Sequence, residues 1–157
     1  EGTARWNLTI SHRKRIEINR KENRALAPDK GCVFLEVKGR PACGNAAQSM
    51  LVWPGIELLG CVQAERRGVR NGCLYTVESI DEEGETLKLQ GLEADFTFEQ
   101  AKQWLRLSFA QTYASCQGTE FSGSLRLHDC ASRFFTRRHL FVGLSRAKQD
   151  AAVSLRG

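Results

Sequence analysis

Long apolar runs, closely spaced cysteines and methionine are scarce in this sequence, and each shortage excludes a class of protein. No apolar stretch approaches the ~20 residues that span a bilayer, so we expect no membrane partner. The six cysteines include no pair separated by two residues, so we predict no metal site and reduced, buried core thiols. The single methionine is Met50, and the chain starts at Glu1 without an apolar leader. We therefore interpret it as an intracellular excerpt, nuclear or cytoplasmic and not secreted, of a longer protein.

The composition is that of a soluble globular protein with an excess of positive charge. Its 157 residues suffice for one domain or for a core with a small insertion; 41% of them are hydrophobic and 26% are charged. Lysine and arginine number 23 against 18 acidic residues, which gives a net charge of +5. Basic residues cluster at 12–15 and at 66–70. This distribution favours a polyanionic partner, with solvated charged faces as the alternative for any single cluster.

The two ends of the sequence alternate between strand-like and helix-like segments. Arg5–Ile10 alternates apolar and polar residues and leads into a serine N-cap for a helix over Arg13–Leu26. Capping-box spacing that begins at Thr97 predicts a helix to Trp104. The other predicted elements are strands at Leu105–Ala110, Ser124–His128 and Ala151–Leu155 and a helix at Thr136–Ala147. Alternating elements of this kind predict an α/β domain.

The middle of the sequence differs, because short β-type runs there are separated by turn signals. Asn71-Gly72 is one such signal and favours a tight hairpin. The runs are Val33–Val37, Met50–Trp53, Ile56–Cys61, Leu74–Ile80 and Thr86–Gln90. Many short strands suggest a small antiparallel barrel or meander. We therefore predict a discontinuous α/β domain over residues 1–30 and 93–157, with an inserted small β-barrel subdomain over 31–92.

Two segments near the C-terminus resemble motifs V and VI of superfamily 1 helicases, in particular the RecD-like, five-prime-to-three-prime branch. The first reads TYASCQGTE over 112–120, directly after a predicted strand. The second reads LFVGLSRA over 140–147. Their order, spacing and flanking elements match that family. The resemblance implies a RecA-like second helicase domain, of the P-loop NTPase type, and hence an ATP-dependent helicase or translocase.

The resemblance also implies the chemistry. In this family ATP and Mg²⁺ lie between two RecA-like domains, and the N-terminal one carries the phosphate-binding loop. The second domain contributes an arginine that stabilises charge on the γ-phosphate in the transition state. Arg146 matches that arginine finger, and its planar, permanently charged side chain suits phosphate oxygens. No segment of this chain ends in the Gly-Lys-Ser/Thr of the phosphate loop, so we expect the chain alone to be inactive.

Motif V implies further contacts. By the resemblance, Gly118 allows close backbone approach to the phosphates, and Glu120 binds the nucleotide ribose. Thr112 and Ser115 offer hydroxyls to the backbone of single-stranded nucleic acid, preferably DNA, and Gln117 bridges the two functions. Ser115 departs from the family, in which lysine is common at this position. Local capping of the turn after the strand is the alternative for both hydroxyls.

Two further segments match the family. Asn19 follows His12 by seven residues, as the asparagine of motif IV follows its arginine, so the resemblance puts His12 at the arginine position. Either Arg13, one residue later, gives the second cationic contact to the γ-phosphate, or that contact is missing. Residues 53–77 resemble the Src-homology-3-like antiparallel β-barrel that these helicases insert in the second domain. The hairpin residues are then expected to contact the nucleic-acid strand, with solvated loop cations as the alternative; they are Arg66, Arg67 and Asn71.

Three functions from different classes stay open at this point. The first is the helicase or translocase just described. The second is a degenerate module that binds nucleic acid without hydrolysing ATP. The third is an interaction domain built on the barrel, similar to peptide-binding folds. Only the middle segment, residues 31–92, supports this third function. A phosphate-binding loop in a preceding part of the protein would favour the first, because fold alone does not prove activity.

Overall fold

The chain divides into two compact units. The computed structural model describes residues 3–39, 48–62, 65–116 and 118–157. One unit consists of Glu1–Asn19 with Phe109–Gly157, and the other of Arg20–Ser108. We call them the parallel unit and the antiparallel unit, after the sheets that they contain. Compactness alone does not define an inserted domain, so the domain bounds of 1–30 with 93–157 and 31–92 stay a prediction.

The described residues form eleven strands and three helices. The strands are β1 (Trp6–Thr9), β2 (Val33–Leu35), β3 (Met50–Val52), β4 (Glu57–Gly60), β5 (Leu74–Asp81), β6 (Thr86–Leu89), β7 (Asp95–Thr97), β8 (Leu105–Leu107), β9 (Ala110–Thr112), β10 (Ser124–Leu127) and β11 (Ala152–Leu155). The helices are α1 (His12–Leu26), α2 (Phe98–Trp104) and α3 (Arg137–Arg146).

A four-stranded, all-parallel sheet forms the core of the parallel unit, in the order β11-β10-β1-β9. The leucines of the central strands β1 and β10, Leu8, Leu125 and Leu127, are fully buried, as is usual in parallel sheets, whose faces are covered. Helix α3 passes close to this sheet, because a Cβ atom at Gly143 would lie 2.6 Å from Leu127 Cδ2. Parallel strands connected through helices confirm the predicted α/β class.

The side chain of Asn19 on α1 forms hydrogen bonds with the backbone of the edge strand β9. The carboxamide of Asn19 donates to the carbonyl oxygen of Ala110 over 3.1 Å and accepts from its N–H over 2.8 Å. Asn19 is fully buried, so these bonds satisfy backbone groups that water cannot reach. Asn19 therefore stabilises β9, the strand that leads into the segment resembling motif V.

Antiparallel strands make up the second unit. Five of them form a sheet in the order β7-β6-β5-β4-β8, and β2 and β3 form a separate pair. Its core contains the fully buried side chains of Leu58, Leu89 and Leu107. Helix α2 begins with the predicted capping box, since Thr97 Oγ1 accepts from the N–H of Gln100 and Gln100 Oε1 accepts from the N–H of Thr97. Closure of these strands into a Src-homology-3-like barrel stays a prediction.

Three features differ from the sequence predictions. The stretch Leu105–Ala110, predicted as one strand, is divided between β8 in the antiparallel sheet and β9 in the parallel sheet. Between them the Ser108 hydroxyl donates to the carbonyl oxygen of Glu57 over 2.8 Å. The division arises because β8 and β9 pair with strands that are distant in sequence, and the local sequence pattern carries no information about such pairing. The short strand β7 lies outside the predicted strands. Buried core thiols were predicted, but of the described cysteines only Cys116 is buried; Cys32, Cys61 and Cys130 are half-buried and Cys73 is exposed.

Candidate functional site

Backbone hydrogen bonds join Phe121, which directly follows the motif V segment at 112–120, to the end of α3. The N–H of Phe121 donates to the carbonyl oxygen of Arg146 over 2.8 Å, and the N–H of Lys148 donates to that of Phe121 over 2.8 Å. The Phe121 ring packs against Trp6 with centroids 5.3 Å apart, and both residues are buried. The backbone of Arg146 is therefore anchored to Phe121 and, through it, to the core of the parallel unit.

The side chain of Arg146 carries an unused hydrogen-bond donor. The residue is partly buried, and its Nε atom is shielded from solvent without a hydrogen-bond partner among the described residues. Burial raises the pKa of the nearby Cys116 thiol to about 11, and the Arg146 charge offsets only part of this rise. Cys116 is thus a neutral thiol at pH 7 and does not neutralise Arg146. A shielded cationic donor of this kind is stabilised when an anion accepts from it.

The hydroxyls of Thr112 and Ser115 bond to each other and to the backbone between them. Thr112 Oγ1 donates to Ser115 Oγ over 2.9 Å and accepts from the N–H of Ser115 over 3.1 Å. The N–H of Thr112 in turn donates to Ser115 Oγ over 3.1 Å. Thr112 is buried, so this geometry is the local capping that the sequence left as an alternative. Gln117 lies outside the described residues.

Gly118 and Glu120 lie on the exposed part of the motif V segment. Gly118 has a φ of 83°, a backbone conformation that favours glycine, and no atom lies within 4 Å of where its Cβ would be. Open space above its backbone leaves room for a ligand to approach. Glu120 is exposed and forms an ion pair with Lys148 at 3.7 Å. Both side chains of that pair are solvated, so it stabilises the fold little.

Arg13 is exposed in the first turn of α1, and its neighbour Lys14 anchors that turn. Asp129 Oδ1 accepts from Lys14 Nζ over 2.5 Å, and Asp129 Oδ2 accepts from the N–H of Ile10 over 2.9 Å. Burial raises the pKa of the Asp129 carboxyl, but the bonds from Ile10 and Lys14 more than offset this, so the pKa lies below its usual value. Sequence reasoning did not find Asp129, because 115 residues separate it from Lys14 and no local pattern links them.

A buried histidine, His128, is hydrogen-bonded to Tyr113 in the segment that resembles motif V. His128 Nε2 is 2.9 Å from Asn7 Oδ1, and the Asn7 amide nitrogen donates to the carbonyl oxygens of Ala4 and Phe109. Asn7 Oδ1 is therefore the acceptor, and His128 Nε2 carries the proton. The Tyr113 hydroxyl donates to the His128 carbonyl oxygen over 2.9 Å. This network ties the first residue of the motif V turn to the end of β10.

The pKa of His128 predicts how stability depends on pH. Burial, with smaller effects from Lys14 and Arg156, lowers this pKa from 6.5 to about 4. Between these values the unfolded chain binds a proton that the folded chain does not, so stability is complete above about pH 6.5 and falls as the pH drops towards 4. We expect a loss of about 3 kcal/mol across this window, measured by urea unfolding of the chain at several pH values.

The variant His128→Gln is the control for this prediction. Glutamine does not titrate but can still donate an N–H to Asn7 Oδ1. The histidines outside the network, His12 and His139, are the same in both proteins, so only the contribution of His128 changes. The slope between pH 4 and 6.5 should flatten in the variant. An unchanged slope would contradict the assignment of a neutral, buried His128.

Arg66, Arg67 and Asn71 lie together on exposed turns of the antiparallel unit. Arg66 and Val69 exchange backbone hydrogen bonds of 3.0 and 2.8 Å around a two-residue turn. Arg67 has a φ of 48° in that turn, and its guanidinium donates to the carbonyl oxygen of Asp95 over 3.3 Å. Asn71 is exposed in the next turn, before β5. The structure thus brings these three predicted contacts to one region of the antiparallel unit.

Neither a metal cluster nor a membrane helix is found in the part of the chain that the structure describes. No three His, Cys, Asp or Glu side chains there are grouped so that they could hold a metal ion. None of the described helices has the length and apolar character needed to cross a membrane.

Comparison with known proteins identifies the fold. No family model and no curated protein matches this sequence. A structure of two coordinating Pif1 helicases, which describes DNA unwinding at forked duplex DNA, matches with a TM-score of 0.60 and 19% identity over 98% of this chain and 39% of that chain. The Pif1 helicase of Candida albicans matches with a TM-score of 0.58 and 14% identity over 100% of this chain and 46% of its own.

A Bacteroides Pif1 bound to single-stranded DNA matches with a TM-score of 0.58 and 17% identity, over 98% of this chain and 41% of that chain. The chain thus spans less than half the length of each of these solved structures. Because the identities are low, the likeness concerns the fold. The chain has the α/β, RecA-like fold of the Pif1 helicases over the portion that it covers.

Proposed function

We propose that this chain is part of an ATP-dependent nucleic-acid helicase or translocase of superfamily 1, to which it contributes the arginine finger Arg146. One observation carries the proposal: Arg146 has a shielded Nε donor without a partner among the described residues, and its backbone is bonded to Phe121, which directly follows the motif V segment. This arrangement lies in a fold shared with Pif1 helicases. One Bacteroides Pif1 among the matching structures is a complex with ADP-AlF4, which supports a nucleotide as the anion.

The residues present fit the γ-phosphate of ATP. Arg146 would donate to its oxygens and stabilise the charge that develops during hydrolysis, an effect of roughly 10³–10⁵ in rate in related nucleotide hydrolases. Gly118 leaves room for the phosphates, Glu120 would accept from the ribose hydroxyls, and Arg13 would give a second cationic contact. The phosphate-binding loop and most contacts to Mg²⁺ would come from an N-terminal RecA-like domain that this chain does not contain.

Single-stranded DNA is the proposed nucleic-acid partner. A Bacteroides Pif1 that matches this chain is bound to single-stranded DNA, which supports this choice. Arg66, Arg67 and Asn71 would contact the strand from the inserted barrel, and Thr112, Ser115 and Gln117 from motif V. The structure shows the Thr112 and Ser115 hydroxyls bonded to each other, so we expect Arg66 and Arg67 to contribute more to the affinity than these two hydroxyls do.

We expect the isolated chain to bind single-stranded DNA weakly and with strong salt dependence, because contacts to phosphates release counterions. Each phosphate contact contributes about 0.7 to the slope of log affinity against log salt for a single strand. The double substitution Arg66→Ala with Arg67→Ala should therefore reduce the slope by about 1.4, measured by fluorescence titration of a labelled oligonucleotide at several salt concentrations. Lys88→Ala is the control, because Lys88 is a partly exposed lysine of the same unit that pairs with Glu78. A salt-independent affinity would contradict the electrostatic contact.

A further inference from the structure

A cavity of about 260 Å³ lies in the antiparallel unit, between the C-terminal half of α1 and the β2–β3 pair. Arg20 and Arg24 from α1 and Phe34 from β2 contribute to its lining. None of the residues proposed to contact ATP or nucleic acid lines it. The cavity is therefore separate from the proposed contacts of this chain.

Hydrogen bonds hold in place part of the wall of the cavity. The carboxamide of Asn23 donates to the carbonyl oxygen of Leu51 over 2.8 Å and accepts from its N–H over 2.8 Å, which docks β3 against α1. Just before β3, Ser49 Oγ accepts from the N–H of Val37 over 2.9 Å. Met50 also lines the cavity and is only 1% exposed. A ligand would therefore meet an ordered surface and would not have to organise it.

Phe34 presents its ring to solvent at this cavity. It is 58% exposed, whereas its neighbour Leu35 is 2% exposed. Phe34 is paired with Leu51 across the two strands, and side chains alternate along a strand, so both lie on the face away from the core. The ring is held by a strand that is itself bonded, through β3, to α1. It can therefore act as a fixed stacking surface.

The charge around the cavity is positive and uncompensated. Arg20 and Arg24 are one helical turn apart, where like charges repel each other. Neither forms an ion pair with a described residue. None of the residues that line the cavity is acidic. An anion placed between the two guanidinium groups would relieve their repulsion.

We propose that this cavity binds one nucleotide unit of a single-stranded nucleic acid, with the base stacked on Phe34 and the phosphate between Arg20 and Arg24. An exposed aromatic ring beside cations is the combination that holds single strands without sequence preference. An acidic peptide would satisfy the arginines but would leave the ring without a planar partner. The inference rests on the proposed function in one respect, namely that the chain binds a single strand.

Photocrosslinking tests the stacking contact in the unaltered chain. A single-stranded oligonucleotide that carries iodouracil is mixed with the chain at low salt and irradiated, and the crosslinked peptide is mapped by mass spectrometry. We expect a crosslink at Phe34. Crosslinks confined to peptides that do not line the cavity would overturn the proposal.

Substitutions separate the two parts of the contact. Phe34→Leu should weaken the affinity for a single strand about tenfold, because base stacking is lost, and should leave the salt slope unchanged. Arg20→Ala with Arg24→Ala should reduce the salt slope by about 1.4, because two phosphate contacts are lost. Lys21→Ala is the matched control, since Lys21 is exposed on the same helix and does not line the cavity. Thermal melting of each variant verifies that it is folded.

The outcomes distinguish failure of this inference from failure of the proposed function. If Arg66→Ala with Arg67→Ala weakens binding and the cavity variants do not, the cavity proposal is wrong and the helicase proposal stands. If the unaltered chain binds no single strand at low salt, the cavity proposal and the proposed single-stranded DNA partner are both wrong, whereas the role of Arg146 is tested separately by ATP turnover. Competition by a free nucleoside monophosphate, or by an acidic peptide, at the concentration at which the oligonucleotide itself competes would overturn the assignment to a nucleic-acid strand.

Discussion

Replacing Arg146 with alanine in the longer protein is expected to lower ATP turnover by about 10³-fold or more and to leave the affinity for single-stranded DNA within about twofold, since phosphate contacts elsewhere supply that affinity. The shielded Nε donor of Arg146 would face the γ-phosphate, so its loss removes stabilisation of the transition state. Steady-state hydrolysis at saturating single-stranded DNA, together with a binding titration, measures both quantities.

The variant Arg146→Lys tests why arginine is needed. Lysine keeps the positive charge but lacks the planar fork that reaches two phosphate oxygens, so we expect a strong loss of turnover here too. Arg66→Ala with Arg67→Ala should show the opposite pattern, with weaker binding and most of the basal hydrolysis retained. If folded Arg146→Ala hydrolyses ATP at the wild-type rate, the finger assignment is wrong, and a module that only binds nucleic acid becomes the better proposal.

Gly60→Ala is expected to reduce the free energy of unfolding by about 3 kcal/mol, at the upper end of the usual range for overpacking. A Cβ atom at Gly60 would lie 2.0 Å from the carbonyl oxygen of Arg70, and a backbone atom cannot move away as a side chain can. The N–H of Gly60 also donates to Cys73, and its carbonyl oxygen accepts from Gly72. Urea unfolding followed by circular dichroism measures the loss.

Gly31→Ala is the matched control for this substitution. Gly31 has a φ of 77°, but no atom lies within 4 Å of where its Cβ would be. Its replacement should therefore cost only the backbone strain, about 1 kcal/mol. Gly60→Ala should also weaken DNA binding, because the displaced segment carries Arg66 and Asn71. Equal stability of the two variants would contradict the close approach at Gly60.

Local patterns in the sequence predicted the elements whose signals are local. The capping box at Thr97 and the serine N-cap before α1 lie next to the helices that they start, so they can be recognised without the fold. The joining of motifs V and VI through Phe121 was not visible, because it depends on a backbone contact with Arg146 across the unit. The family resemblance suggested Arg146 as the arginine finger, and the structure shows in addition that its Nε donor is shielded from solvent.

Contacts between residues distant in sequence explain what the sequence could not predict. Asn19 bonds to a strand 91 residues away, and Asp129 to a lysine 115 residues away, and neither pair has a sequence signature. The division of Leu105–Ala110 has the same origin, because each half follows the sheet that it joins. The cavity beside Phe34 is lined by residues of α1, β2 and β3. Local periodicity predicts each of these elements separately and does not indicate that they lie next to one another.

The bonding of β9 has a consequence for the solubility of the protein. Open edges of sheets recruit strands from other molecules and start aggregation. At β9 the outward backbone groups are already occupied: those of Ala110 by the Asn19 amide, and those of Thr112 by Ser115 and Cys116. A second copy of the chain therefore has no template to extend on this side of the sheet. The residues that shape the motif V turn also act as a barrier against edge-to-edge self-association.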